Sequence, residues 1–450
     1  MSKLGVGIAA KRVCGRGFHN SVRLASRQPL VLNGIEYATD NYTNVPASIA
    51  SRVHPHPQLP YLENQPLALL RGEIERVLGA RYMPIRAPSP VVSTRLNFDE
   101  LGFPEDHPGR QPSDTYFVNK NTCLRTHTSA HQIGAFRSGN LRWLLTADVF
   151  RRDEIDSSHY PVFHQMEGAS VWNHEELVPG GSVEQECVAM EQKLANVPME
   201  IQDQVSVEDA GGWQPKHEAN NRQGAELSMR HLKATLNTLV YELFQPRWAL
   251  ESQSDEPLKV RWIPAFFPFT SPSFEVEVWF RGKWLEILGS GVVQQSILDQ
   301  SGLADKMGWA FGLGLERIAM VLFSIPDIRL FWSQDKRFLG QFAKQSGRSL
   351  PLMTFKPYSK HPPCYKDVSF WLPPNFHEND LFETVRDCAG DLVEDVECID
   401  SFVHLKTQKA SRCYRVNYRS MDRNLENEQI NTLHNAVLDR LRREFSLEIR

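Results

Sequence analysis

The sequence predicts an α+β protein of two units, an antiparallel-sheet domain flanked by helices and a smaller C-terminal unit that alternates strands and helices. Three observations predict it. The chain has 450 residues, too long for one ordinary core. From Leu258 to Gly291 it is rich in β-branched and aromatic residues broken by Pro and Gly, the pattern of several antiparallel strands. The C-terminal stretch reads strand (Lys366–Leu372), helix (Asp380–Ala389), strand (Leu392–Ile399), strand (Cys413–Arg419), helix (Glu426–Phe445) and strand (Ser446–Ile449). With one further strand before or within it, this is the split βαβ, ferredoxin-like pattern.

Composition sets the outer bounds. Hydrophobic residues make up 41% and charged residues 23%, the balance of a soluble globular chain. No uninterrupted apolar run is long enough to span a bilayer, so no membrane partner is expected. The net charge is only −4, so any nucleic-acid contact must come from local patches. Before Glu36 there are six basic residues (Lys3, Lys11, Arg12, Arg16, Arg23, Arg27) and no acid, with scattered serines. That composition reads as a mitochondrial transit peptide over residues 1–30, against the plainer account of a basic tail. Seven cysteines, none in a C-x-x-C pair, support neither a zinc ribbon nor a redox motif.

Taken in order, Leu67, Leu70, Ile74 and Val77 have helical spacing and mark an amphipathic helix over residues 65–79, which Pro88 and Pro90 follow. "FDELGFPEDHPGRQPSDTYFV" is loop-like, then extended from Thr115. Two strands joined by a polar turn occupy Leu141 to Trp172. A Gly/Pro break, a helix and the polar segment "DAGGWQPKHEANNRQG" lead to a helix from Ala225 to Phe244. "FGLGLERIAMVLF" opens a buried helix, with Gly308, Gly312 and Gly314 flanking a strand-to-helix turn.

Strand alternation locates the chemistry. Ala147, Val149 and Arg151 share one face, as do Phe163, Gln165, Glu167 and Ala169. An arginine, an aromatic, a glutamine and a carboxylate then converge where an ordinary half-buried strand places apolar residues. The charged loop Arg152 to Pro161 between them reads as a solvated turn. A metal site on His159, His164 and Glu167 is disfavoured, because His164 and Glu167 fall on opposite faces. In "LRTHTSAHQIGAF", Ser129-x-x-Gln132 is a capping box, and that helix start, with His127 beside it, also suits a carboxylate ligand. Phe267 and Phe269 share a face; they are either core or the wall of an apolar ligand site. Arg317, in the first turn of an apolar helix, sits where the helix dipole disfavours a cation, so an anion is expected in front of it. Glu316 is the local candidate and a phosphate the functional one. In the last unit, Arg415, Asn417 and Arg419 share one strand face, with Lys406, Lys409 and Arg412 nearby. This is either a phosphate-backbone surface or a solvated charged face.

Together these segments resemble the class II aminoacyl-tRNA synthetases, and within them the phenylalanyl-tRNA synthetases of the single-chain mitochondrial type. "FRRD" followed by "HYPVF" is similar to motif 2, and "GLGLERIAM" to motif 3. "HTSAHQ", "FHQMEG" and "FPFTSPS" resemble the amino-acid pocket segments. "FPEDHP", "YSKHPPCYKDVSF" and "CYRVNYRSMDRNL" also fit the family pattern. Motif 1 is weak, suggested by the 65–79 helix and Pro88 or Pro90, and Asp153 stands where motif 2 usually has Glu.

The resemblance implies a class II antiparallel-sheet catalytic domain over 31–323, a connector over 324–350 and a ferredoxin-like anticodon-binding domain over 351–450. It implies that L-phenylalanine is activated with ATP and passed to tRNA(Phe), with Mg2+ bridging phosphates, in a monomeric protein of the mitochondrial matrix. Arg151 and Arg317 would be catalytic. ATP would meet Arg151, His159, Phe163 and Arg317. Phenylalanine would meet His127, Ser129, Gln132, Gln165, Glu167, Phe267, Phe269 and Ala310, with the Gly289–Gly291 turn close by. Lys406, Lys409, Arg412, Arg415 and Arg419 would meet tRNA, and Glu275 and Glu286 are candidates to hold the metal. The competing reading is a synthetase-like protein that binds RNA without catalysis; the presence of both Arg151 and Arg317 weighs against it.

Overall fold

The computed structural model describes residues 28–450 except 54–57, 88, 219–220, 253–255, 334, 344–352, 358–360, 375 and 405. The basic N-terminal segment through residue 27 and Pro88 lie outside the described residues. Leu30–Leu32 (β1) and Ile35–Tyr37 (β2) form a hairpin. The main sheet begins with Met83–Arg86 (β3). A small sheet follows, built of Val91–Ser93 (β4), Phe117–Asn119 (β5) and Thr122–Leu124 (β6) in the order β4-β6-β5. The long strands are Arg142–Phe150 (β7) and Val162–Asn173 (β8), then Met199–Gln202 (β9), Leu258–Phe267 (β10), Thr270–Phe280 (β11), Lys283–Val293 (β12) and Lys306–Gly314 (β13). With β3 they make an eight-stranded sheet ordered β3-β7-β8-β13-β12-β11-β10-β9, antiparallel except for the β3–β7 and β10–β9 pairs.

One face of this sheet is packed by helices. The Arg222–Glu251 helix lays Leu232, Leu236, Leu239, Val240, Leu243 and Phe244 on it at helical spacing. Buried tryptophans find partners there: Trp262 Nε1 donates to Asn237 Oδ1 (3.0 Å) and Trp309 Nε1 to His231 Nδ1 (3.1 Å). The helix runs beyond the expected Phe244 and through Pro246. Its last turn is held from outside, because Arg247 Nε donates to Leu322 O (2.7 Å) and Trp248 Nε1 to Glu256 O (2.8 Å). The expected helix near residue 65 spans Pro66–Leu78, with Leu67, Leu70 and Ile74 fully buried. Gly308, Gly312 and Gly314 do not flank a turn; all three lie within β13, and the Leu315–Phe323 helix starts directly after it. At Gly308 a Cβ would meet Ser170 O at 2.0 Å, so strand β8 requires glycine there.

The last unit has Cys364–Trp371 (β14), Val393–Val403 (β15), Ala410–Tyr418 (β16) and Glu448–Ile449 (β17), ordered β15-β16-β14-β17. The Glu378–Ala389 and Asn427–Phe445 helices cover one face, and Tyr414, Val416 and Tyr418 are buried beneath them. The split βαβ pattern is complete with these four strands, so the further strand expected is not needed. Residues expected in a connector, including Ile325, Phe331, Phe338 and Phe342, are buried in the core of the first unit.

The two units are joined through the loop after β7, which was expected to be a solvated turn. Ile155 is only 5% exposed and belongs to the apolar core of the last unit. Val396 N donates to Ile155 O (2.9 Å), and Arg386 Nη2 to the carbonyls of Asp153 and Glu154 (3.0 Å each). Arg152 pairs with Asp380 at 3.0 Å. A polar loop sequence carries no sign of such a partner, because the cover comes from residues more than two hundred positions away. Arg329 is the second tie. Its guanidinium pairs with Asp327 (2.7 Å) and donates to Asp391 O (3.0 Å), Val393 O (2.8 Å) and Arg419 O (3.2 Å). Arg329→Ala strands a buried carboxylate and is expected to cost about 3–5 kcal/mol. Urea unfolding should show this as a lower midpoint; an unchanged midpoint would remove Arg329 from the interface account.

Candidate active site

A cavity of ≈ 400 Å³ opens on the sheet face away from the long helix. His127, Ser129, Gln132, Gln165, Glu167, Phe267, Phe269 and Ala310 all line it, together with Arg151 and Glu286. Eight residues expected around one amino acid therefore surround one space. Register explains the meeting: Ala147 pairs with Gln165, Val149 with Phe163, Gly312 with Glu167 and Ala310 with Ala169.

Glu167 closes the polar end and is 2% exposed. Ser129 Oγ donates to one of its oxygens (2.8 Å) and Gln132 Nε2 to the other (3.0 Å). The capping box expected for Ser129 and Gln132 is thus not formed; Ser129 lies in a 3-10 turn (Thr128–His131) and both side chains serve the carboxylate instead. A buried charge gains more from these bonds than a solvated helix start would. Burial still dominates and pushes the Glu167 carboxyl up to about 7, against the lowering effect of its hydrogen bonds. Gln165 Oε1 accepts from Thr128 N (3.3 Å).

His127 Nε2 lies 3.0 Å from Asn97 O. A carbonyl only accepts, so the proton is on Nε2 and Nδ1 is left as an acceptor. Burial, then the neighbouring Arg151 charge, push this imidazole down to about 3, so it is neutral. Arg151 is fixed by Nε donating to Thr126 O (2.8 Å), with its guanidinium 5.3 Å from the Phe163 ring centroid. Beneath the site, Arg125 is fully buried, ion-paired with Asp148, and donates to Ser89 O (2.9 Å), which anchors the strand end leading to His127.

The apolar end is made by Phe267 and Phe269, stacked at 5.8 Å and 14°. Phe103 is a wall residue that the sequence reading passed over. It stacks on His127 (5.4 Å, 6°) and leans on Phe269 (6.1 Å). It lies in "FPEDHP", a stretch whose sequence reads as loop. Gly289 and Gly291 lie within β12, not in a turn. A Cβ on Gly289 would stand 2.6 Å from Phe267 Cζ. Gly289→Ala is therefore expected to displace Phe267 and weaken aromatic-ligand binding about tenfold. Calorimetric titration with L-phenylalanine, the ligand the resemblance implies, measures it; unchanged affinity would mean that Phe267 does not shape the pocket.

His159, Phe163, Arg317 and Glu275 stand outside the cavity lining. His159 Nδ1 is 2.8 Å from Asp156 Oδ2, and this hydrogen bond raises its pKa. With Glu154 these form a group of possible metal ligands within 4.8 Å of one another, partly exposed. The triad His159, His164 and Glu167 is not formed: His164 is buried on the other face, with Nδ1 2.6 Å from Glu316 Oε1. The same pair decides Arg317. Glu316 is turned inward, so the anion facing Arg317 is Glu286, at 3.1 Å and about half exposed. Glu275 is raised by burial, then by the negative charges of Glu286 and Glu277. Glu277 is ion-paired with Arg261, and two carboxylates that repel one another, Glu275 and Glu286, suit a hard divalent cation.

The C-terminal cations are not an unopposed basic face. Arg415 is bidentate to Asp367 (2.8 Å twice), Arg419 pairs with Glu394 (3.0 Å), Lys409 with Glu448 (3.5 Å) and Arg412 with Glu378. The acids come from other strands and from a helix, which the sequence around the cations cannot reveal. Lys406 is exposed.

Comparison with known proteins agrees with this architecture. The model described as tRNA synthetases class II core domain (F) matches residues 53–183 and 222–342, and that of the ferredoxin-fold anticodon binding domain matches 359–450. The chain is 44% identical over 452 residues to the Saccharomyces cerevisiae protein named phenylalanine–tRNA ligase, mitochondrial, covering 93% of this chain and 94% of that one. It is 41% identical to the Arabidopsis thaliana chloroplastic/mitochondrial phenylalanine–tRNA ligase (93% and 85% covered) and 40% identical to the Mus musculus mitochondrial one (93% and 88%).

Proposed function

The chain belongs to the class II phenylalanine–tRNA ligases, and on that premise we propose how its residues perform the reaction. The enzyme joins L-phenylalanine to ATP, giving phenylalanyl-adenylate and pyrophosphate, and then passes the phenylalanyl group to tRNA(Phe). The observation that carries the site assignment is the cavity's polarity: a buried carboxyl at one end and two stacked phenylalanines at the other. An amino acid with an ammonium and an aromatic side chain matches both ends.

In this assignment Glu167 and Gln165 take the ammonium, while Ser129 and Gln132 hold Glu167 and orient the substrate. The free His127 Nδ1 offers a further acceptor. Phe267, Phe269 and Ala310 enclose the ring. The substrate carboxylate then lies toward Arg151, which neutralises charge as the carboxylate attacks the α-phosphorus in line. Phe163, under the Arg151 guanidinium, supports the adenine, so base and α-phosphate contacts are neighbours. His159 and Arg317 take the outer phosphates. Glu275 and Glu286 would hold Mg2+, which neutralises phosphate charge when bound. No side-chain nucleophile is required; positioning carries the rate.

For tRNA, we assign Lys406, Lys409, Arg412, Arg415 and Arg419 as contacts, four of which exchange a carboxylate for a phosphate. Relatives named mitochondrial, and the basic N-terminal segment, support a mitochondrial protein; we propose the matrix as its compartment and a monomer as its active form. The test is phenylalanine-dependent ATP–pyrophosphate exchange by protein lacking residues 1–30. Exchange with phenylalanine but not with leucine is expected; none with phenylalanine would overturn the reading.

A further inference from the structure

The segment between residues 184 and 221 is unmatched by the class II core model, yet residues 210–214 bond to backbone beside the amino-acid pocket. Gln214 is the point of contact. It is 5% exposed and makes three hydrogen bonds to three different elements. Nε2 donates to Ser271 O (2.9 Å), the second residue of β11 just after the turn at Phe269, and to Val293 O (3.1 Å), the last residue of β12. Oε1 accepts from Gln295 N (2.7 Å), at the start of the Gln295–Gln300 helix. An amide is the group that can do this, since it offers two donors and an acceptor without charge.

The neighbouring backbone reinforces the grip on the same strand start. Ser273 N donates to Ala210 O (2.8 Å), and Ser271 Oγ donates to Gly212 O (2.8 Å), with Gly211 O also within reach at 3.2 Å. Gly211 and Gly212 have φ of +100° and +77°, a conformation that lets two successive carbonyls face Ser271 and that side chains disfavour. The strand start so held directly follows the turn that carries Phe269, and Gln294 N donates to Phe269 O (3.0 Å). The aromatic wall is thus clamped between β12 and a segment outside the core.

We propose that Gln214 is a positioning residue that sets the width of the aromatic pocket, and with it the discrimination of phenylalanine from ring-substituted analogues such as tyrosine. It touches no substrate; it fixes the start of β11, beside the turn that sets Phe269 against Phe267. This rests on the reading that those two rings enclose the substrate ring. Losing an amide that satisfies three backbone groups loosens that strand start, while the nucleotide contacts at Arg151 and Phe163 lie on the β7–β8 hairpin.

The test is steady-state exchange by Gln214→Met, a variant of similar size that keeps neither donor nor acceptor. The KM for phenylalanine should rise about tenfold, with the KM for ATP within about twofold. The tyrosine-to-phenylalanine ratio of kcat/KM should rise at least about threefold as the wall relaxes. Unchanged KM for phenylalanine, an equal rise in the KM for ATP, or an unchanged tyrosine ratio would each overturn the proposal. If Gln214→Met does not fold, Ser271→Ala removes the other clasp on that strand start. It should shift the same two quantities in the same direction, and no shift overturns the proposal. Absence of phenylalanine-dependent exchange in the wild type would instead remove the pocket reading itself, so the two failures are distinct.

Discussion

Arg151→Ala is expected to lower kcat for phenylalanine-dependent ATP–pyrophosphate exchange by about 10³-fold while the protein stays folded. The guanidinium is aimed, not merely present: Nε is tied to Thr126 O at 2.8 Å and the group lies over the Phe163 ring. One nitrogen is used for orientation, and the remaining donors face the cavity that Glu286 and Gln165 also line. Charge builds on the α-phosphate as the carboxylate attacks, and a preorganised cation there helps the transition state more than the ground state. The KM for phenylalanine should change far less than kcat. Arg151→Lys keeps the charge but loses the fork and the Thr126 bond, so a loss of about 10²-fold is expected. Either variant retaining exchange within about threefold of wild type would take Arg151 out of the reaction.

Glu167→Gln is expected to lower kcat/KM for phenylalanine by about 10²–10³-fold, the cost of removing one partner from a buried charge pair. The wild type should also show a pH profile that the variant lacks. Burial raises the carboxyl to about 7, so below that pH the free enzyme holds it protonated, unable to pair with an ammonium. Between pH 5 and 7, kcat/KM for phenylalanine should fall about tenfold per unit as pH falls, and it should level off above about 8. Stability has the opposite sign. With the folded pKa above the ordinary carboxylate value, the native state without substrate is favoured at low pH and loses that advantage as pH rises through about 7. Glu167→Gln removes the cost of ionising a buried acid and should melt no lower than wild type at pH 8. A profile flat from pH 5 to 8 in the wild type would contradict this account.

Some of the site could be read along the chain and some could not. Phe163, Gln165 and Glu167 were placed on one face and His164 on the other, because side chains on a strand alternate whatever surrounds them. The Phe267/Phe269 pair was visible for the same reason, although either core or wall would satisfy its pattern until the cavity was seen. The capping box failed because local hydrogen-bond rules assume a solvated helix start, and Glu167, distant in sequence, offered Ser129 and Gln132 a buried charge. Glu316 was the near candidate for Arg317, but His164 holds it in the core and leaves Arg317 to Glu286 on another strand. Phe103 and Gln214 carried no usable signal, since each acts from an irregular segment whose position is set by packing.

By itself the sequence determined the two-unit α+β plan, the faces of the β7–β8 hairpin and eight residues that line one cavity. Those follow from chain length, periodicity and motif, all of which are short-range. Only the tertiary structure decided which carboxylate meets which cation. It also decided that the charged loop at Ile155 is buried against the last unit and that Gln214 braces the aromatic wall. Each of these is a contact between residues far apart in the chain, fixed by sheet order and domain docking, and no local pattern encodes such a partner.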